Sequence, residues 1–555
     1  MWKNYLITAW RNMMRNRMFS LVNIAGLALA IAASLLIGLF IYYEKNYDRQ
    51  SPHATNIWRA YNETVTDGKV VTQDANTHAI LGPSLKADLP EVVDFIRLYN
   101  RNQPEVTILH NNQPIQIEKA WMTDPAFLRM FPQQFISGDP ATCLTKPNSI
   151  IVTETTAEKI FRRKDVAGEI LHVPGGWLRG DYTITGVVKD PPANTHIKFH
   201  ILASYATREA ANVPGWDSYW DYTYFQLVPG ANVNKVRDQL AIYSDKFLKE
   251  EGIRLNMQPF TEIHLNSKLT YEIEPNSDAG TIRVLGFIAL FIVLIAFINY
   301  INLTTSSSII RAKEVGVRKV LGADRSQLMK QFLTEGGMIS AVAILIALGL
   351  LWLALPGFEK FIGKQLVNYA GFDKSYWLLV PALWLLAVLC ACIYPAVALS
   401  SFSPIKTLRN NLVIGGKNNL RRVLVVFQFA CSTILIIGIL VIVQQLNFLR
   451  SHNKGLSLDH VIALKIPEPD WNIDSLNQQR MEVFRNKLKE IPEVKSVATS
   501  SIVPGQGITT IAGTSGGMFW TAAPAAATTA TVYFYHTDTS SVSYTHLTLP
   551  TTERV

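Results

Sequence analysis

His196 and His200 stand four residues apart, a spacing that on a helix would set two imidazoles on one face, where they could share a metal ion. Their context, Ile197-Lys198-Phe199-His200-Ile201-Leu202, reads instead as a strand. On a strand, positions i and i+4 lie about 13 Å apart, too far for one metal. The four cysteines supply no other site. Cys390, Cys392 and Cys431 fall inside apolar runs, and Cys143 stands alone in the polar part of the chain, with no second ligand pair at zinc spacing. Serine, histidine and aspartate are plentiful, but none stands in a nucleophile motif. A phosphate-binding loop needs Gly-x-x-x-x-Gly-Lys-[Ser/Thr], so that backbone N–H groups can cradle the phosphates. The nearest stretch, Gly415-Gly416-Lys417-Asn418, lacks the first glycine at its proper spacing and the hydroxyl residue. The sequence therefore assigns no catalytic residue, no metal ligand and no bound cofactor, and enzyme classes fare poorly.

What remains is a charged, helix-forming stretch, Arg311-Ala312-Lys313-Glu314-Val315-Gly316-Val317-Arg318-Lys319-Val320-Leu321-Gly322-Ala323, directly after a long apolar run. Glu314 and Arg318 are i,i+4 partners, a pairing that contributes a few tenths of a kcal/mol on an exposed helix. Val317, Val320 and Leu321 form an apolar stripe, and Gly322 is placed to end the helix in a left-handed conformation. Gly316 in mid-helix costs about 1 kcal/mol relative to Ala, which a sequence seldom accepts without a close contact to make. The pattern predicts a short, basic, amphipathic helix between two membrane spans, where a cytoplasmic motor could push on it. An ordinary helical loop on the cytoplasmic side has the same periodicity and charge, so these residues alone leave both open.

The elements around it belong to a membrane protein. The chain has 555 residues, 48% of them hydrophobic, with a positive mean hydropathy. Runs of about 20 residues with few charges mark helices that cross a bilayer. Five occur, at 19–43, 281–303, 332–355, 376–400 and 423–446. Residues 1–18, 304–332 and 399–422 together carry a net charge of +13, whereas residues 44–280 carry −5. Segments rich in Lys and Arg stay in the cytoplasm, which predicts a cytoplasmic N-terminus and an exported 44–280 domain. The basic pI thus records topology and gives little support to nucleic-acid binding. The first apolar run continues past Ala28, Ala30 and Ala32 through Tyr43, longer than the roughly 7–15 residues of a signal peptide's apolar core, so it reads as an uncleaved anchor.

Residues 2–14 place Trp2, Tyr5, Leu6, Ala9, Trp10, Met13 and Met14 at helical spacing against Lys3, Arg11 and Arg15. That is an interfacial amphipathic helix within the cytoplasmic segment 1–18, a lipid anchor that could also brace a partner. The exported domain, 44–280, reads as mixed α/β. Strands are predicted at Ser149–Thr153 and Asp181–Lys189, and helices at Glu154–Arg163, Asn234–Lys249 and Lys86–Leu98, the last in two pieces around Pro90. Asn23, Asn299 and Asn302 in the spans read as polar glue between helices ahead of a transport path, and Pro395 is placed to kink the fourth span. Segments 304–331 and 401–422 are the two cytoplasmic connections. The basic approach Lys417–Arg422 mirrors Arg11–Arg17 before the first span, a hint of internal duplication. Residues 447–555 open a second exported segment that turns Ala/Thr-rich after Trp520 and gives no functional signal.

Three ordered blocks carry a family resemblance. The chain resembles the FtsX/MacB-like permeases of the ABC transporter superfamily, whose segment after the second span follows Arg-x-x-Glu-[Ile/Val]-Gly-[Ile/Val]-Arg-[Lys/Arg]-x-x-Gly-Ala. Arg311, Glu314, Val315, Gly316, Val317, Arg318, Lys319, Gly322 and Ala323 match it. Tyr394–Arg409 is similar to the exit of the family's fourth span, and Ile151–Phe161 with Tyr182–Phe199 to its MacB-type periplasmic domain. The resemblance implies an α-helical inner-membrane protein with a large extracytoplasmic mixed α/β domain and about five transmembrane helices. It also implies mechanotransmission: a separate cytoplasmic ABC ATPase dimer, which uses the ATP, closes on this permease and moves the periplasmic domain through the first two spans. In that scheme Glu314, Arg318 and Lys319 contact the ATPase, Gly316 and Gly322 permit close packing and the helix end, and Arg311 and Ala323 bound the coupling segment. Membrane lipids, a second permease copy, and a periplasmic adaptor or outer-membrane component are the other implied partners. The work done would be export of peptides or amphiphiles, or lipoprotein handling. The same coupling segment also serves a non-transporting regulator of a cell-wall hydrolase or a resistance sensor. Related long permeases carry a second exported domain and three more spans, so this chain reads as truncated in its second half.

Overall fold

The computed structural model describes residues 2–101, 105–212, 214–320, 324–366, 374–400, 419–451, 462, 464, 474–494, 497, 511–512 and 532–533. A 14-residue helix, Trp2–Arg15, is followed after a break at Asn16 by the first-span helix Arg17–Lys45. Asn16 leaves helical geometry (φ −104°, ψ 56°), so the two helices form an elbow. Leu6, Ile7, Trp10 and Met14 of the short helix are exposed, as an interfacial helix requires.

The first span buries Leu27, Ala28, Ile31, Leu35 and Leu39, one face at i,i+4 spacing. They meet Val293, Phe297 and Tyr300 of the second-span helix Ala279–Val320 and Ala343, Ile344, Ala347 and Leu351 of the third, Arg325–Ile362. Hydrocarbon gives helices no solvent-driven reason to associate, so close contact between small residues carries the packing. Ala28 and Ala32 on one helix and Ala343 and Ala347 on the other supply those small surfaces. A fourth apolar helix, Leu379–Ser400, packs on the second and third, and Tyr376 just before it donates to the Leu35 carbonyl at 2.5 Å. The fifth helix, Asn419–Ser451, packs on the second span and leaves Val426, Phe429, Ile434 and Ile437 exposed for lipid. Asn23 does not reach a neighbouring helix through its amide N–H, which returns to the Phe19 carbonyl of its own helix at 2.9 Å. Asn299 does lie against the first span, where its Nδ2 would sit 3.9 Å from a Cβ added at Gly26.

Between the first two spans, one sheet carries thirteen strands among the described residues. Its first half is antiparallel, in the order Ile253–Pro259, Ile57–Thr66, Asp221–Leu227, Val92–Tyr99, Ala120–Thr123. Ala120–Thr123 then runs parallel to Ile201–Ser204, and Ser149–Thr153 parallel to Gly180–Val188. The sheet ends at the hairpin Val106–His110 and Gln113–Ile117. The short helices Leu81–Asp88 and Val233–Tyr243 cover the first half, Glu154–Phe161 the second. Thr153 caps the last of these by accepting from the Thr156 N–H, and Arg162 ends it at φ +59°.

Local expectations are corrected in three places. Lys86–Leu98 is not a helix in two pieces. The helix Leu81–Asp88 ends before Pro90, and Val92–Tyr99 is a central strand paired with Asp221–Leu227. Its Val, Phe, Ile and Tyr side chains gain more from sheet burial than helical spacing could offer. Asn234–Lys249 is an α-helix only to Tyr243 and then one π-helical turn, Ser244–Leu248. The stretch after His196 becomes a strand only at Ile201.

Candidate functional site

The second-span helix extends well past its apolar part. It runs 42 residues without a break from Ala279 to Val320, roughly 63 Å at 1.5 Å per residue, about twice a bilayer's hydrocarbon core. Arg311, Glu314, Gly316, Arg318 and Lys319 therefore lie on the span helix itself, beyond its apolar part, and not on a separate short helix as expected. A continuous helix is the lower-cost solution here, because Ser, Thr, Lys and Arg after Leu303 interrupt hydrophobicity without interrupting helix formation. Gly322 and Ala323 lie outside the described residues.

The joint on the first span is built around two buried carboxylates. Glu44, in the last turn of the span helix, is completely buried. His264 donates to its Oε2 through Nε2 at 2.7 Å, and Lys364, just past the third-span helix, donates to Oε1. The Tyr47 ring stacks on His264 with centroids 3.6 Å apart, and its hydroxyl donates to the Thr195 carbonyl at 3.0 Å. Asp48, at φ +61°, accepts from the His196 backbone N–H and from Thr195 Oγ1, each at 2.8 Å. His196 Nδ1 donates to the same carboxylate at 2.7 Å, which leaves Nε2 to accept from the Tyr224 hydroxyl at 2.8 Å. Burial pushes the Tyr47 and Tyr224 phenols above their ordinary range, so both stay protonated donors. His200 turns to a different partner, the Glu118 carbonyl at 3.0 Å. The span thus enters the sheet's core through a polar chain in which each buried charge meets a partner, as burial demands.

The joint on the second span is a strap, residues 267–278, tied along its length. Buried Arg59 holds Glu272 with both terminal nitrogens, at 2.5 and 2.7 Å. Lys119 and Lys198 grip Glu274 at 2.5 and 3.1 Å. The Tyr222 hydroxyl donates to the Tyr271 carbonyl at 2.7 Å, and Thr270 and Gln73 share a backbone bond of 2.8 Å. Asp278 then opens the second-span helix. The Thr281 N–H it accepts holds its carboxyl below the usual range, the expected sign at a positive helix end. Both spans are therefore fixed to one domain by ion pairs and backbone bonds.

At the opposite end, the interfacial helix is docked on the third span. Asn12 Nδ2 donates to Glu335 at 2.9 Å, and a small cavity between them is lined by Ala9, Met13, Phe19 and Ser20. Glu44, Asp48, His264, Lys364 and Arg59 were not legible as site residues in the sequence. A charge at the edge of an apolar run normally faces water, and their partners are far away in the chain. His196 drew notice only as a possible metal ligand.

The chain matches the MacB-like periplasmic core domain family over residues 20–243 and the FtsX-like permease C-terminal family over residues 286–404. It is 24% identical over 233 residues to the uncharacterized ABC transporter permease YknZ of Bacillus subtilis (strain 168), covering 39% of this chain and 53% of that one. It is 35% identical over 205 residues to the macrolide export ATP-binding/permease protein MacB of Neisseria meningitidis serogroup B, covering 36% of this chain and 29% of that protein. The match to MacB of Bdellovibrio bacteriovorus is 23% over 324 residues, covering 55% of this chain and 45% of that one. The chain thus spans about half, or less, of the length of these relatives. Among solved structures, a domain of a putative permease protein from Porphyromonas gingivalis aligns with a TM-score of 0.33 at 18% identity, covering 43% of this chain and 99% of that one.

Proposed function

Because the chain belongs to the FtsX/MacB-like family of ABC transporter permeases, a multi-pass inner-membrane protein with a large extracytoplasmic mixed α/β domain, we propose that it is the mechanical subunit of an export system. In this reading a separate cytoplasmic ABC ATPase dimer binds the segment Arg311–Ala323 and supplies all the ATP chemistry, and this chain binds no cofactor of its own. Closure of the ATPase displaces the cytoplasmic end of the second-span helix, and the strap and the Glu44–Asp48 joint turn that displacement into movement of the outer domain. Peptides or amphiphiles, or lipoproteins handed across the periplasm, are the proposed load, with an adaptor or outer-membrane component and a second permease copy completing the assembly.

The observation that supports this reading most is the single helix from Ala279 to Val320, with the family motif at one end and a fully ion-paired strap at the other. A continuous helix links displacement at one end to the other, because each turn is hydrogen-bonded to the next. The test is co-purification. An ATP-binding subunit is expected to come down with the wild-type chain in detergent, and Glu314→Ala with Arg318→Ala is expected to lose it while insertion stays intact. Undiminished recovery of the ATPase with the double variant would contradict the assignment of the coupling segment.

A further inference from the structure

Three elements meet at the outer end of the first span on one carboxylate. Glu44 belongs to the span itself, His264 to the short helix Ile263–Asn266 of the outer domain, and Lys364 to the turn that follows the third-span helix. His264 and Asp48 join the first span to the domain, and the strap joins the second. Lys364 is different, since the helix it follows has no chain connection to the domain. Its ammonium takes Glu44 Oε1 while lying 5.6 Å from the Phe40 ring centroid and 5.7 Å from that of Tyr43. Those rings belong to the last two turns of the first span, so Lys364 is held over a cation-attracting surface that points it at the carboxylate. Glu44 is fully buried while the lysine side chain is about one-third exposed.

The consequence is geometric. A buried carboxylate is costly without a counter-charge, and Lys364 can supply one only while the outer end of the third span lies beside the first. At the other end of the same helix, Glu335 takes Asn12 of the interfacial helix at 2.9 Å. The third span is thus pinned outside to the first-span exit and inside to the helix that precedes the first span. The outer domain is thereby indexed against a span that does not adjoin it in the chain.

We propose that Lys364 is a positioning residue. Through Glu44 it fixes the angle of the outer domain relative to the third span, so that this conformation is a latched one and movement of the domain requires the Lys364–Glu44 pair to part. The functional meaning of the latch rests on the lever reading above, but its existence does not.

The test uses the full chain in lipid nanodiscs, with its four native cysteines replaced by serine and spin labels on Asp238→Cys, in the outer domain, and Phe361→Cys, at the outer end of the third span. Pulsed electron–electron distance measurement without nucleotide is expected to give one distance for the otherwise unmodified protein and the same distance for Lys364→Arg, which keeps the charge. Lys364→Met is expected to add a second distance, and Lys364→Glu, which sets like charges together, to shift the population further toward it. A distribution unchanged in both Lys364→Met and Lys364→Glu would overturn the proposal. So would a second distance in Lys364→Arg equal to that in Lys364→Met, because packing rather than charge would then be responsible. Lys364 lies in a partly exposed turn, so at least the methionine variant is expected to insert. Absence of an ATPase partner in the co-purification experiment would leave these distances unaffected, so the two ideas fail separately.

Discussion

At the scale of single residues, buried charges hold the base of the outer domain together. Arg59 is fully buried and spans both oxygens of Glu272, which ties the strap to the second strand of the sheet. Arg59→Met would leave Glu272 without its counter-charge, a change that costs about 3–5 kcal/mol when a buried pair is broken from one side. Thermal unfolding of the purified chain should show the outer domain melting well below wild type, and an unchanged transition would mean that the strap is not held by this pair. His78 tests burial in a different way. Its Nδ1 faces the Trp216 carbonyl at 2.5 Å, and its Nε2 has no partner among the described residues. Burial pushes its pKa below the ordinary 6.5. In the window beneath 6.5 the unfolded chain binds a proton that the folded one does not, so stability is full above that pH and declines as pH falls toward the folded value. Melting curves from pH 7 to 5 should therefore drop more steeply for wild type than for His78→Gln, and parallel curves would show that this imidazole does not titrate on unfolding. The pattern at Arg311–Ala323 can be read in the sequence because its spacing is local. Glu44, His264 and Lys364 cannot be read there as a cluster, because the partners of Glu44 lie 220 and 320 residues away in sequence.

At the scale of elements, apolar length was the most legible signal. A run of about 20 apolar residues has few alternatives to a spanning helix. The helix ends were less legible. Nothing in Thr304–Ile310 breaks a helix, so the second span continues to Val320 where a separate helix was expected. Inside the outer domain, Ser149–Thr153 was readable from its β-branched run, and the same residues form a strand. Val92–Tyr99 was misread because its apolar residues fit both periods over so short a stretch, and pairing with Asp221–Leu227 decides the outcome. The lever itself can be broken in one place. Proline inside a helix removes a backbone bond and clashes with the preceding turn, at a cost of about 3 kcal/mol or more. Ser307→Pro lies between the apolar span and Arg311, so it should spare the motif and the joint while uncoupling one from the other.

At the scale of the whole molecule, a bundle of apolar helices carries the thirteen-stranded sheet domain, and polar contacts fasten the two at the outer ends of the first three spans. The first span enters the domain through Glu44 and Asp48, the second through Glu272 and Glu274, and the third reaches it through Lys364. Charge distribution predicts the orientation, with the basic segments expected in the cytoplasm and the acidic domain outside. The sequence did not reveal that three spans converge on one domain base, because convergence is a property of packing and not of any local pattern. The central claim is that motion at Arg311–Lys319 reaches the outer domain along one helix. The measurement that tests it most directly is the distance between labels on Asp238→Cys and Phe361→Cys in the complex with its ATPase, with and without a non-hydrolysable ATP analogue. The account predicts a nucleotide-dependent change in distance that disappears in Ser307→Pro although the ATPase still binds. An outer domain that stays in place when nucleotide is added, or moves equally in the proline variant, would contradict it.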